Sequence, residues 1–208
     1  MSAPGFDWIS SSWPSDGFGN VAEDIVRRLI ADRDRLRSLL AACESDPLLF
    51  HRLVCDRGRF ADLGLCLFHD GGSGWVELNL WRGGRNTTIH RHTFEGASGW
   101  VTGTGQELLF AGPPGIEIPR RVKPAGGRHL SQGDVLRVRA ARPGFAGTIH
   151  SVLHDGPVAI TVVARRGCTS DGVNWSWNPT TFELSGHGIE VDPSHRETLQ
   201  RAYESLEA

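Results

Sequence analysis

The sequence predicts a mainly β protein, a closed barrel or sandwich that follows a helical N-terminal segment. Three observations point there. After Asp62 a helical period gives way to a series of short β-like runs. Glycine or proline clusters separate most of those runs, and 26 of the 208 residues are glycine, which suits a body with many tight turns. The run Val135-Leu136-Arg137-Val138-Arg139-Ala140 alternates, with one face apolar and the other charged, as a half-exposed strand does.

Taken in order, residues 1–18 are rich in Pro, Gly, Ser and aromatics and show no period, so they read as an arm anchored by Phe6, Trp8, Trp13 and Phe18. From Val21 to Cys43, Val26, Leu29, Ile30, Leu36, Leu39 and Leu40 recur at three- and four-residue steps, the stripe of an amphipathic helix. Asn20 followed by Glu23 is a variant capping box at its start. A short second helix is expected over Pro47–Val54, with proline in the first turn. Strands are expected over Leu63–Phe68 and Trp75–Trp81, joined by the turn cluster Asp70-Gly71-Gly72-Ser73-Gly74. Further strands are expected over Thr87–His92, Gly99–Thr104, Glu107–Phe110, Val135–Ala140, Thr148–His154 and Val158–Ala164. The stretch from Cys168 to Ser194 reads as irregular, and His195–Glu207 as a terminal helix. The expected organisation is one structural domain, with residues 1–60 an arm and helices packed on a barrel formed by residues 61–208.

Composition narrows the function. Lys+Arg number 22 against Asp+Glu 24, so no excess of basic charge is present to grip a phosphate backbone, and nucleic acid is not an expected partner. No apolar run reaches the length of a membrane span, and the start lacks a signal-peptide pattern, so a cytoplasmic protein is expected. Cys43, Cys55, Cys66 and Cys168 are scattered, without the close spacing of a thiolate zinc site, and read as reduced thiols.

The chemistry concentrates at His90-Arg91-His92. Residues two apart on a strand share a face, so both imidazoles can reach one point. His150, on a later strand after a glycine-containing turn, is the best third donor. Three neutral imidazoles with open positions suit Fe(II), and would also accept Zn, Ni, Mn or Cu. Around them, His154 shares the strand face of His150 and is a candidate acid/base or alternative ligand. Arg82 and Arg85 flank the histidine strand and are candidates for pairing with an anionic substrate. Arg137 and Arg139 would form a positive wall for a carboxylate or phosphate if their face points inward, against the alternative of an outer, solvated barrel face, and Trp100 would stack on substrate or fill the barrel.

The spacing around these histidines resembles the paired motifs of the cupin superfamily. Gly84 precedes His90 by five intervening residues, and Gly103 follows at the first motif's distance. Gly133-Asp134-Val135 resembles the opening of the second motif and Gly147-x-x-His150 its end, so the pair covers about a third of the chain. The resemblance implies a double-stranded β-helix, or jelly-roll barrel. The usual first motif supplies a glutamate four residues after the second histidine, where this chain has Gly96. Glu95 is one step early and would ligate only if a bulge re-aims it.

The segment Trp81-Arg82-Gly83-Gly84-Arg85-Asn86-Thr87-Thr88-Ile89-His90-Arg91-His92-Thr93 resembles, more narrowly, the cysteine dioxygenase family, where the motif reads Ser-Ser-Ile-His-x-His-Thr. Gly105-Gln106-Glu107-Leu108-Leu109-Phe110 is similar to that family's next strand. The resemblance implies a mononuclear Fe(II) oxygenase with His90, His92 and His150 as ligands and no glutamate. The family's Ser-x-His-x-Tyr triad has no counterpart in Val158–Ala164, nor its cross-linked cysteine near Ala97, nor its carboxylate-binding arginine in Gly64–Phe68. The implied reaction therefore joins O₂ to a small polar substrate other than L-cysteine. The rival expectations are a non-oxidative metal-dependent cupin (isomerase, lyase or decarboxylase) and a non-catalytic cupin that binds a small ligand. The oligomeric state is not specified by the residues.

Overall fold

The computed structural model describes residues 1–9, 13, 18–56, 61–82, 87–92, 94–167, 175–177 and 183–185. Three helices lead the chain: α1 (Phe18–Ala31), α2 (Arg33–Ser45) and α3 (Pro47–Leu53). The single helix expected over Val21–Cys43 is thus two. Asp32 breaks it, because its side chain accepts a hydrogen bond from the Arg35 amide and caps α2. Asn20 lies inside α1 instead of capping it, and Asp46 caps α3 through the amides of Leu48 and Leu49. No helix among the described residues is long and apolar enough to cross a membrane.

The described residues then form ten strands: β1 (Val54–Asp56), β2 (Leu63–His69), β3 (Gly74–Arg82), β4 (Ile89–Arg91), β5 (Glu95–Ala111), β6 (Lys123–Leu130), β7 (Val135–Val138), β8 (Ile149–Arg166), β9 (Ser176–Trp177) and β10 (Leu184–Ser185). All pair antiparallel. The architecture is that of a double-stranded β-helix, the cupin barrel, and its organising feature is the pair of long strands β5 and β8. Two pairs of runs expected as separate strands are continuous here, but each long strand bends where the register between them slips, around Trp100–Thr104 against Asp155–Ile160. Gly103 sits at that bend with φ +85°, where a Cβ would meet the backbone of Ala159. Each long strand therefore serves two sheets. The first runs β1-β2-β3-β8-β5-β7 through Val158–Arg166 of β8, and the second runs β10-β9-β4-β8-β5-β6 through Ile149–Asp155.

The alternation of each strand assigns its faces. On the first sheet Leu63, Leu65, Val76, Leu78, Leu80, Ala97, Val101, Ile160, Val162 and Ala164 point outward, into one buried cluster with α1, α2 and the aromatics Phe6, Trp13 and Phe18. The expected aromatic anchoring of the arm is what the fold uses. Gly99 faces α1 so closely that a Cβ there would run into Val26. The opposite face of the same strands is far more polar and turns toward the second sheet. It carries Cys66, Glu77, Asn79 and Thr161, all buried, and ends in Trp81 and Trp100. The outer face of the second sheet is closed by Ile89, Phe110, Val122, Ile149 and Trp177. The expected C-terminal helix at 195–207 lies outside the described residues.

Candidate metal centre

β4 and β8 bring the three histidines together. His90 is the register partner of His150 across that antiparallel pair, so their side chains leave the sheet on one face. His92 follows two residues later and points the same way. Its amide donates to Thr148 and its carbonyl accepts from Ala141, which ties the end of the histidine segment to the chain leading into β8. That chain turns at Gly147, φ +75°, where a Cβ would stand 2.7 Å from the Ala141 amide nitrogen and 2.8 Å from the Arg139 carbonyl oxygen. The glycine of the second motif thus has a steric reason: only a residue without a Cβ lets β8 start beside β4.

Every pair of the three rings has its centroids 4.8 Å apart. One nitrogen from each lies within 4.8 Å of the others, and Nε2 of His92 is 2.8 Å from Nε2 of His150. Metal–nitrogen bonds of about 2.0–2.1 Å place adjacent donors roughly 3 Å apart on one ion. The far nitrogens of His90 and His150 are already committed. Nδ1 of His90 donates to the Thr88 carbonyl at 2.7 Å, and Nδ1 of His150 donates to Oε1 of Glu107 at 2.6 Å. Those bonds set the tautomer and aim both Nε2 lone pairs inward.

The electrostatics favour neutral rings at His90 and His92. Burial first, then the neighbouring His150, push the pKa of His90 down to about 3, against its bond to Thr88. Burial also holds His92 well below its ordinary value, helped by His150, His90 and the positive charge of Arg165. A metal needs an imidazole in this neutral form. Glu107 is almost fully buried on β5. Burial opposes its ionisation, but hydrogen bonds from His150 and from Arg128 Nε at 2.7 Å outweigh that and keep its carboxyl below the usual range. The donor set, three imidazole nitrogens, fits one divalent ion with open positions.

The other sequence-predicted residues are distributed differently. Glu95 is not brought to the histidines. It opens β5 at the barrel surface, where Arg137 Nη2 approaches it at 3.7 Å. Gly96, in the place of the usual motif glutamate, cannot carry a ligand, since a Cβ there would run into the Ala164 carbonyl oxygen. His154 shares the strand face of His150, but four residues at 3.3–3.4 Å rise put it about 13 Å along β8. There it is sandwiched between Trp81, at 4.3 Å and 15°, and Trp100, at 4.9 Å and 28°. Trp100 is therefore a core residue that closes one end of the interior. Arg82 is engaged by Asp62, which accepts its amide at 2.7 Å and sits 3.9 Å from Nε. Arg137 faces α1, bonding Asn20 Oδ1 at 3.1 Å, and Arg139 is exposed just past β7, so the two do not wall a pocket. Arg85 lies outside the described residues.

Glu107 was not singled out by sequence reasoning. Its one signal is an acid opening the apolar run Leu108-Leu109-Phe110 on a strand next to a candidate ligand strand. Arg165 and Glu77, which pair across the interior face of the first sheet, gave none. Charges near strand ends usually read as solvated.

No protein-family model matches the sequence, and no curated protein does. Among solved structures, the chain is similar to the DMSP lyase DddQ from Ruegeria pomeroyi DSS-3, at 20% identity over 54% of this chain and 49% of that one, with a TM-score of 0.37. It is similar to the Momordica charantia 7S globulin, at 16% identity over 74% of this chain and 42% of that one, with a TM-score of 0.44. A third likeness is to a Klebsiella pneumoniae protein with a double-stranded β-helix domain, at 18% identity over 51% of this chain and 76% of that one, with a TM-score of 0.33. The chain spans half or less of the length of the lyase and the globulin. Likenesses this distant carry no activity across, and the site is read from its own residues.

Proposed function

We propose that this chain is a cytosolic, mononuclear metal-dependent enzyme, with Fe(II) on His90, His92 and His150 and O₂ as co-substrate for a small polar molecule. The observation that supports it most is the convergence of three imidazoles, with the far nitrogens of His90 and His150 fixed by Thr88 and Glu107. A divalent ion held by three uncharged ligands keeps its full charge and its open positions, and as Fe(II) it supplies the redox chemistry that O₂ requires. The chain's own residues do the rest. Glu107 orients His150 and balances charge beside it. Trp81, Trp100 and His154 fill one end of the interior and keep water from it, while the half-buried His90 and His92 stay accessible from the other. Small polar molecules suit an interior face built from Glu77, Asn79 and Thr161.

The test is metal analysis of protein purified without oxygen, followed by O₂ consumption with a panel of thiols and amino acids. Iron with substrate-dependent uptake supports the proposal. Zinc or nickel with no uptake replaces it with Lewis-acid chemistry at the same site. Failure to bind a divalent ion at the histidines rejects both.

A further inference from the structure

The interior face of the first sheet holds a partly buried cation whose position the metal site does not explain. Arg165, on β8, reaches across to Glu77 on β3, whose side chain is only 12% exposed. The guanidinium carbon lies 5.5 Å from the ring centre of Trp75 and 5.4 Å from that of Phe94, so two aromatic rings hold its orientation. Arginine presents five N–H donors. One Nη meets Glu77, but the Nε of Arg165 is buried and has no hydrogen-bond partner among the described residues. Leaving a buried charged donor unmade is costly, and interiors seldom do so without reason.

Its surroundings say what the reason is. The Phe94 ring that packs on Arg165 also packs on His92, with centroids 4.7 Å apart. One aromatic ring therefore stands between the guanidinium and the histidine cluster, inside the same barrel interior. The Glu77 partner leaves the pair neutral overall, so the fork acts by directed hydrogen bonds more than by net charge. Nε–H is the donor left open, and a guanidinium N–H matches a carboxylate oxygen in a charge-assisted hydrogen bond.

We infer that Arg165, oriented by Glu77, Trp75 and Phe94, anchors a carboxylate of the substrate while another polar group of the same molecule reaches the histidine cluster. The substrate class is then a short-chain organic acid with a second polar head. This rests on the metal site proposed above, and it makes Arg165 the residue that sets chain length.

Calorimetric titration tests it with ω-hydroxycarboxylates of two to five carbons and the corresponding amides. The proteins are the metal-loaded wild type, Arg165→Gln and the double variant Glu77→Gln/Arg165→Gln, with metal content measured for each. The double variant removes both charges, so a fold lost to an isolated Glu77 does not hide the answer. The wild type is expected to bind a carboxylate of one chain length at least tenfold tighter than its amide. Both variants are expected to hold one ion per chain and lose that preference. Equal binding of acid and amide at every length, or a preference that survives Arg165→Gln, overturns the inference. If the wild type binds no ion at the histidines, the metal reading fails, and the same acid-against-amide comparison on metal-free protein decides Arg165 separately.

Discussion

Replacing Glu107 by glutamine changes two atoms' chemistry and almost no volume, yet it acts on the ligand opposite. Glu107 is 1% exposed, accepts from His150 Nδ1 at 2.6 Å, and binds Arg128 Nε at 2.7 Å. A carboxylate behind a ligating imidazole raises its basicity and fixes its ring, and losing such a partner costs about 10–100-fold in metal affinity. That range is about 1.4–2.7 kcal/mol at 1.36 kcal/mol per tenfold. Glutamine can still accept from Nδ1, so Glu107→Gln belongs at the lower end. Glu107→Ala leaves the buried nitrogen without an acceptor and belongs at the upper end, with a further ~1–3 kcal/mol lost from folding. Arg128 is half exposed, so Arg128→Ala should cost under about 1 kcal/mol. The assay is competition for Zn(II) or Co(II) against a chromogenic chelator at pH 7, with thermal unfolding of the metal-free proteins alongside. If Glu107→Gln and Glu107→Ala both bind within twofold of the wild type, the carboxylate does not support the ligand and this reasoning is wrong.

Three other outcomes follow from the same geometry. Because folded His90 has its pKa depressed from 6.5 to about 3, the unfolded chain takes up a proton that the folded one refuses. Stability of the metal-free protein is therefore full above pH 6.5 and falls as pH drops toward 3; melting temperatures at pH 7, 6 and 5 should decline, and a flat profile contradicts the burial argument. The depressed pKa of Glu107 contributes stability above its ordinary value of 4.5 and loses it below, so it does not confuse that window. Gly96→Glu should not add a fourth ligand. Its Cβ meets the Ala164 carbonyl, and a loss of about 1–3 kcal/mol in chemical denaturation with no gain in metal affinity is expected. Trp100→Ala should cost about 3–5 kcal/mol of stability, since it is 1% exposed and stacks on His154, while metal content stays at the wild-type level.

What the sequence made legible was local and periodic. His90-x-His92 declares a shared strand face by its spacing alone, and the glycines at 103 and 147 mark backbone positions where a Cβ has no room. The stripe from Val26 to Leu40 was visible as helix, but not its break, because Asp32 caps α2 from within an uninterrupted apolar pattern. β6 went unseen since Lys123-Pro124-Ala125-Gly126-Gly127-Arg128-His129 is exposed throughout and has no apolar alternation to read. Whether Arg137 and Arg139 would wall a pocket stayed open in the sequence because alternation shows that a strand has two faces and not which one is inside. Here α1 covers the arginine side of β7 through Asn20 and Glu23. Glu107 and Arg165 depend on pairing across 43 and 88 residues of chain, and contacts of that range leave no mark in a local pattern.

The central claim is that His90, His92 and His150 hold one divalent ion. Its most direct measurement is metal stoichiometry of the wild type purified without oxygen, beside His90→Ala, His92→Ala, His150→Ala and His154→Ala. One ion per chain in the wild type and in His154→Ala, with loss in each of the other three, is the predicted result. A wild type without stoichiometric metal after loading, or a His150→Ala protein that keeps its ion, would contradict it.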